Sequence, residues 1–206
     1  MYFTSALTLA TLAATAYSHG LITSPTPRDV GPAGTEACGP VVMAIIESDK
    51  TSHVEGLPEA SEQDSAYNPA ECNLWLCKGL QYEDNVDNVM EYSRGETVHM
   101  DVYIRIPHLG TANVSIVDTA SNSIVGEPLI SWDHYADDAL GMNQPESQTS
   151  FDFVIPEDLE DQCAEAGACV LQWYWYGDAA QQTYESCVDF TVPAMEKKVR
   201  SRHFRN

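Results

Sequence analysis

The chain has few basic residues and, after its first 17 positions, no long hydrophobic run. Only ten Lys and Arg stand against 31 Asp and Glu, which gives a formal net charge of −21 at pH 7. Five of these ten lie in the last ten positions, so the body of the chain is more acidic still. This acidity disfavours nucleic acid as a partner. No later segment approaches the roughly 20 apolar residues of a membrane span, so we expect no membrane partner.

Helical periodicity is also scarce, and short alternating segments take its place. Between residues 98 and 106, apolar side chains alternate with polar ones, which is typical of a half-buried strand. Residues 40–95 have weak strand signals and are predicted to form a large loop insertion. We therefore expect an all-β, immunoglobulin- or fibronectin-III-like β-sandwich that carries this insertion. Further strands are predicted at residues 112–117, 151–155, 169–176 and 184–192.

Residues 1–18 have the pattern of a cleaved secretory signal. An apolar stretch of small residues ends on Ala16-Tyr17-Ser18, although it begins without Lys or Arg. Cleavage after this segment makes His19 the first residue of a secreted, extracellular protein. That one residue then carries both an imidazole and a free α-amine, which together can chelate a borderline metal such as copper.

The mature chain of roughly 190 residues suits one domain with one core. We expect this domain to span residues 19–193 and to be a monomer. Residues 194–206 are basic and have little apolar periodicity, so they are predicted to form a disordered tail. This tail lacks the hydrophobic end of a GPI-anchor signal.

The six cysteines form an even set, which in a secreted chain predicts three disulfides. Their connectivity does not follow from the sequence. Two pairs are close enough to close local loops, and the third pair would tie the start of the domain to its last strand. A zinc site is the alternative, but a Cys-x4-Cys spacing without a second tight Cys or His pair fits zinc poorly. The pairing expected from locality is Cys72–Cys77, Cys163–Cys169 and Cys38–Cys187.

Four motifs follow one another along the chain and have to be considered together. They are His19-Gly20 before Pro25-Thr-Pro-Arg28, Ile106-Pro-His108-Leu-Gly110, Leu171-Gln-Trp173, and Gln182-Thr-Tyr184-Glu-Ser-Cys187-Val-Asp189. In order and spacing, these motifs resemble the lytic polysaccharide monooxygenases, and particularly the chitin-binding type-4 branch, over residues 19–193. Residues 54–58 are also similar to the large loop of chitin-active members, whereas the loop at residues 48–92 is unusual.

This resemblance implies a histidine brace, in which the amine and Nδ1 of His19 and one nitrogen of His108 hold one copper ion. His53 is the next candidate for the second histidine, because it precedes the family-like segment. The resemblance also implies that Tyr184 is the axial residue beside copper and that Gln182 donates a hydrogen bond to a bound oxygen species. The alternative for Tyr184 is an ordinary core tyrosine with a satisfied hydroxyl.

Strand parity supports this reading of the last strand. Residues two apart share a face, so Gln182 and Tyr184 are predicted to point inward with Val188 and Phe190. Cys187 then lies on the opposite face, where it could meet Cys38. Glu185 shares that opposite face and is interpreted as a surface charge without a role.

The remaining histidines and aromatic residues have ordinary explanations. His99 lies on the polar face of its strand, His134 is placed in a loop, and His203 is in the tail. Trp173 and Trp175 alternate on one strand face and are predicted to be core. Six other aromatic residues are placed in loops, where a sugar-stacking platform and simple packing are equally open. They are Tyr67, Trp75, Tyr82, Tyr92, Trp132 and Tyr135.

The leading hypothesis is a secreted copper monooxygenase that cleaves glycosidic bonds with an external electron donor or peroxide. Its substrate is expected to be chitin first, and cellulose or another β-glucan second. The alternatives are a copper-binding protein of the same fold that oxidises no glycan, and a chitin-binding module with a vestigial brace. No Ser-His-Asp arrangement stands out, and Asp and Glu are too abundant to nominate a glycosidase pair, so hydrolysis is disfavoured.

Overall fold

The computed structural model describes residues 19–195, which contain nine strands and four short α-helices. The predicted signal peptide and residues 196–206 of the predicted tail lie outside this range. None of the described helices is long and apolar enough to cross a membrane. The strands are β1 His19–Ser24, β2 Met90–Glu91, β3 Thr97–Ile106, β4 Gly110–Asp118, β5 Ser123–Ile124, β6 Ile130–Tyr135, β7 Ser150–Val154, β8 Cys169–Gly177 and β9 Gln182–Thr191. The helices are α1 Pro32–Cys38, α2 Pro40–Ser48, α3 Gly56–Glu62 and α4 Glu146–Thr149.

Two sheets form a sandwich around one main core. The smaller sheet has the strand order β1-β3-β7, and the larger has the order β2-β9-β8-β4-β5, with β6 also paired to β4. Ile22 and Met100 from the smaller sheet are fully buried in the same cluster as Trp173, Trp175 and Tyr184 from the larger one. The predicted all-β sandwich is confirmed, and so is the core position of the two tryptophans.

Strand β3 follows the alternating pattern that predicted it. Val98, Met100, Val102 and Ile104 are all at least 95% buried, whereas Ile106 at the end of the strand is 36% exposed. The strand pairs antiparallel with β1, so that His19 lies opposite Ile106. The core therefore ends at this pair, and the residues that follow it lie at the rim of the sandwich.

The insertion between β1 and β3 is helical and turn-rich, and it has a small core of its own. Helices α1, α2 and α3 pack together around a cluster that includes Val42, Ile46, Leu57 and Leu74. Main-chain hydrogen bonds join the insertion to the sandwich, among them Gly20 N to Thr51 O at 3.0 Å. The insertion is therefore a packed layer that covers the start of β1.

The disulfides differ from the pairing expected from locality. Only the bond between Cys163 and Cys169 is as predicted, and the Cys72–Cys77 and Cys38–Cys187 pairs are wrong. The tight turn Cys77–Gly79 carries Cys77 away from its near neighbour in sequence and against β9. One disulfide therefore closes the insertion on itself and the other anchors it to the sandwich; they are Cys38–Cys72 and Cys77–Cys187.

A buried ion pair fixes the segment that follows β1 to the last strand. The Arg28 guanidinium donates two hydrogen bonds to the Asp189 carboxylate, at 2.7 and 2.8 Å, and a third to the Leu80 carbonyl at 2.8 Å. The two side chains are only 5% and 1% exposed. This bidentate pair explains why an arginine follows the Pro-x-Pro motif and why an aspartate lies in the last strand.

Removing one partner of this pair leaves the other buried and unpaired. We expect Arg28→Ala to lower the free energy of unfolding by about 3–5 kcal/mol in denaturant titrations. The control is Lys50→Ala, because the Lys50–Asp29 pair is half exposed and should be worth less than about 1 kcal/mol. Equal losses from the two variants would contradict a structural role for the buried pair.

Candidate metal centre

The structure brings His19 and His108 to the same end of the sandwich. His19 begins β1 opposite Ile106, and His108 follows Ile106 by two residues in the turn that leads into β4. The two imidazoles are close enough for the charge of His19 to act on the pKa of His108. Two of the predicted site residues therefore lie together, although 89 positions separate them in the sequence.

Main-chain contacts hold the turn that carries His108. The Trp175 indole N–H donates to the His108 carbonyl at 3.2 Å, and the Asp178 amide donates to the Leu109 carbonyl at 3.0 Å. A Cβ atom at Gly110 would lie 1.8 Å from the Tyr176 carbonyl oxygen. Glycine is therefore required at this position, which explains the His-x-Gly spacing in physical terms.

The imidazole of His108 is half-buried, and its surroundings favour the neutral form. Burial lowers its pKa, and the nearby His19 acts in the same direction, while the Asp138 carboxylate opposes them without reversing the shift. A metal ligand must offer a nitrogen lone pair, so a neutral ring suits that role.

The ring of His19 is held by a carboxylate that the sequence analysis did not single out. His19 Nε2 lies 2.8 Å from Asp49 Oδ2, just beyond the end of α2. Burial acts to raise the pKa of Asp49, but hydrogen bonds from Thr51 and the charges of His19 and Arg105 outweigh it and lower the pKa. Nothing in the sequence distinguishes this aspartate from the other acidic residues, because its partner is contributed by a strand 30 positions away.

Tyr184 lies on the inward face of β9, as parity predicts. Its ring is fully buried and stacks on Trp175 of β8, with ring centroids 4.5 Å apart. The hydroxyl donates to Gln182 Oε1 at 2.7 Å. Since that amide oxygen accepts the hydrogen bond, the NH₂ group of Gln182 can act only as a donor to another group.

His53 and Glu55 form a second polar pair beside Tyr184. The His53 ring contacts the Tyr184 ring edge-on, at a centroid distance of 6.3 Å, and His53 Nδ1 lies 3.2 Å from Glu55 Oε2. The Glu55 carboxylate also accepts the Thr183 amide at 2.8 Å. Burial would raise the pKa of Glu55, but these hydrogen bonds lower it overall. Glu55 is thus a site residue that the sequence analysis missed, although the segment containing it was noted.

Glu185 is not a surface charge, and that prediction is wrong. It is 4% exposed and lies on the opposite face of β9 from Tyr184, where its carboxylate accepts the Lys78 amide at 3.4 Å. Burial raises the pKa of Glu185 to about 7, against the opposing effect of hydrogen bonds from the Cys77–Lys78 backbone and of the Lys78 charge. Burial lowers the pKa of Lys78 to about 8, against the charges of Glu185 and Asp49. The alternation of side chains along β9 predicts which face carries Glu185, but it does not predict whether solvent or the insertion covers that face.

Three of the six aromatic residues that were placed in loops are not exposed loop side chains beside the two histidines. Trp132 and Tyr135 lie in strand β6 rather than in a loop, and Tyr135 is fully buried against Trp173. Trp75 is 45% exposed, but its carbonyl accepts from Asn122, beyond the far end of β4. Since β4 is roughly 26 Å long, Trp75 lies far from the turn of His108.

The other described histidines, His99 and His134, contact carboxylates. His134 is in β6 rather than in a loop, and it pairs with Asp137 at 3.3 Å. His99 is exposed, with Nδ1 2.7 Å from Asp152 and Nε2 3.2 Å from Ser150. This Ser-His-Asp contact is not a hydrolytic triad, because Nε2 is shared with Asp101 at 3.2 Å and the carboxylates raise the pKa of His99. With a carboxylate facing each ring nitrogen, neither nitrogen of His99 is left to accept a proton from the serine as a general base would.

His19 and His108 together offer two imidazoles and one main-chain nitrogen as possible metal donors at this end of the sandwich. Among residues 19–195, no three His, Cys, Asp or Glu side chains form a metal-binding group. The main-chain nitrogen of His19 becomes an amine when the chain is cut before it, and amine and Nδ1 then close a chelate. A donor set of nitrogen atoms alone fits copper better than the oxygen-seeking Mg²⁺ or Ca²⁺.

Comparison with known proteins identifies the family of the chain. A family model described as lytic polysaccharide mono-oxygenase, cellulose-degrading, matches residues 19–190. No curated protein matches the chain significantly.

Similar solved structures share little sequence with the chain. A CBM33 protein from Bacillus amyloliquefaciens in complex with Cu(I) is 12% identical, covers 84% of this chain and 99% of its own, and gives a TM-score of 0.43. An AA10 lytic polysaccharide monooxygenase from Photorhabdus luminescens is 15% identical, with 86% and 100% covered and a TM-score of 0.45. The family model spans most of the chain, and this protein therefore belongs to the lytic polysaccharide monooxygenases.

Proposed function

We propose that the mature protein begins at His19 and binds one copper ion in a histidine brace. The amine and Nδ1 of His19 and one nitrogen of His108 would hold the ion. The observation that carries this proposal is the placement of both histidines at one rim, with the His19 ring held through Nε2. A metal-bound imidazole commonly gives its other N–H to a carboxylate, and Asp49 is positioned to accept it.

Tyr184 and Gln182 would complete the site as positioning groups. The Tyr184 ring packs between Trp175 and His53, so it would form a rigid wall beside the bound ion. Its hydroxyl is engaged by Gln182 and therefore orients the amide. The Gln182 NH₂ group would then donate a hydrogen bond to an oxygen species bound beside it.

Copper supplies one-electron chemistry that, with a donor and dioxygen or peroxide, oxidises a C–H bond of a sugar and so breaks a glycosidic bond. The chain's own contribution is to hold the ligands, to limit access by the buried Tyr184 ring, and to present the rim to an extended polysaccharide. The electron donor or peroxide is external. We propose that the enzyme is secreted and monomeric, since its substrate is an extracellular polysaccharide. The three disulfides are consistent with an oxidising extracellular environment.

We propose chitin as the first substrate and cellulose or another β-glucan as the second. The turns beside His108 expose aliphatic rather than aromatic side chains, namely Leu109, Leu140 and Met142. Such groups pack against the C–H faces of sugar rings and against an acetamido methyl group. The net charge of −21 opposes adsorption to anionic glycans, but it does not oppose adsorption to neutral glycans such as chitin and cellulose.

The test uses copper-loaded mature protein with ascorbate and peroxide on chitin and on cellulose. We expect oxidised oligosaccharides in mass spectra, most abundantly from chitin, and none from the metal-free protein. Oxidised products from cellulose alone would overturn the substrate order. Tight copper binding without oxidised products from either substrate would contradict catalysis and favour a copper-binding protein of the same fold.

A further inference from the structure

The carboxylate of Asp49 contacts the one ring nitrogen of His19 that a histidine brace does not use. His19 Nε2 and Asp49 Oδ2 are 2.8 Å apart, and the two side chains are only 13% and 29% exposed. An ionised carboxylate only accepts hydrogen bonds, so the ring hydrogen resides on Nε2 and the lone pair of the neutral ring on Nδ1. Nδ1 is the nitrogen within reach of the residue's own α-nitrogen.

The loop that carries Asp49 is itself fixed by several contacts. Asp49 Oδ1 accepts the amide and the hydroxyl of Thr51. The carbonyl of Thr51 accepts the amide of Gly20, the residue next to His19, at 3.0 Å. The buried Lys78 ammonium donates to the carbonyl of Lys50 at 2.9 Å. The carboxylate is therefore preorganised relative to β1 and does not depend on a mobile surface contact.

The guanidinium of Arg105 contacts the same carboxylate. Arg105 Nη1 lies 3.3 Å from Asp49 Oδ2, the oxygen that faces His19. The guanidinium withdraws charge from the carboxylate, whereas the carboxylate increases the electron donation of the imidazole. The two residues therefore act on His19 with opposite sign.

We propose that Asp49 is a positioning residue that sets the tautomer and donor strength of His19, and that Arg105 moderates it. This inference rests on the proposed copper site. A more strongly donating imidazole favours copper(II) over copper(I), so the pair tunes the midpoint potential of the bound metal. Asp49 touches neither the substrate nor the reacting atoms, and it acts through His19 alone.

The substitution Asp49→Asn separates this role from a merely structural one. An amide has one acceptor and one donor end, so it cannot accept from both Thr51 and His19. We expect a 10- to 100-fold loss of copper(II) affinity in chelator competition, the range found for partners of metal-bound histidines. The copper(I) affinity should fall less, and each tenfold difference raises the midpoint potential by about 59 mV. Arg105→Gln should shift the potential in the opposite direction.

The matched control is Asp152→Asn, which removes an equally short carboxylate contact from His99 on the same sheet. It should change neither the affinity nor the potential. If wild-type protein binds no copper, the proposed function fails together with this inference. If wild-type protein binds copper and Asp49→Asn matches it in affinity and potential, the function stands and the positioning role is overturned.

A metal-free measurement gives a second readout that needs no variant. Long-range proton–nitrogen NMR spectra of the mature apoprotein, at a pH where the His19 ring is neutral, report which ring nitrogen carries the hydrogen. We expect the Nε2–H tautomer. The Nδ1–H tautomer would overturn the proposal whatever the behaviour of the Asp49 variant.

Discussion

Replacing His108 with alanine should lower copper affinity more than about 100-fold. The brace would lose its only donor from the turn before β4. Removing a group that merely hydrogen-bonds to a metal ligand already lowers metal affinity about 10- to 100-fold, so removing a ligand should lower it more. The measurement is the copper(II) dissociation constant of the mature protein by chelator competition. Because the His108 side chain is only half-buried and its turn is held by main-chain contacts, the fold should survive the change.

His99→Ala is the control for this experiment. His99 is an exposed imidazole on β3, the strand that precedes the turn of His108, and its partners are carboxylates and a serine. Copper affinity should stay close to that of wild-type protein. Equal losses from His99→Ala and His108→Ala would show that the wrong histidine has been assigned. A large loss from His53→Ala with none from His108→Ala would assign the role to His53.

Adding a single residue before His19 should also abolish tight copper binding. The extra peptide bond converts the amine of residue 19 into an amide, which offers no lone pair to the metal. One of three nitrogen donors and the chelate ring are lost together, so we expect a fall of more than about 100-fold. Titration of copper(II) into the extended and the mature proteins measures the difference.

A protease-removable extension supplies the control for this experiment. Cutting back to His19 should restore the affinity in the same sample, which separates loss of the amine from misfolding. Unchanged affinity in the extended form would exclude the α-amine as a ligand. The site would then consist of side chains only, and cleavage before His19 would not be needed to form it.

The sandwich could be predicted because its signals are local. The alternation in residues 98–106 defines one buried face, and strand parity placed Tyr184 inside the core with Trp175. The resemblance of the His19, His108 and Tyr184 motifs to those of the lytic polysaccharide monooxygenases implied that these residues form one site. In the structure these three residues lie at the same end of the sandwich.

Other features depend on contacts that no local signal encodes. The disulfide of Cys77 is with Cys187 rather than Cys72, because a turn with left-handed backbone at Cys77 and Lys78 directs it to β9. Asp49 reaches His19 only because the insertion folds back over β1. Glu185 is buried for the same reason, although the alternation along β9 places it on the face that points away from the main core. The errors therefore concentrate where the insertion covers the sandwich.

An electron paramagnetic resonance spectrum tests the central claim most directly. One equivalent of copper(II) is added to mature protein that begins at His19, and hyperfine couplings count the nitrogen donors. We predict a single axial species with three nitrogens, two from imidazoles and one from an amine. A spectrum with one coordinated imidazole, or a mixture of weakly bound species, would contradict the histidine brace at this rim.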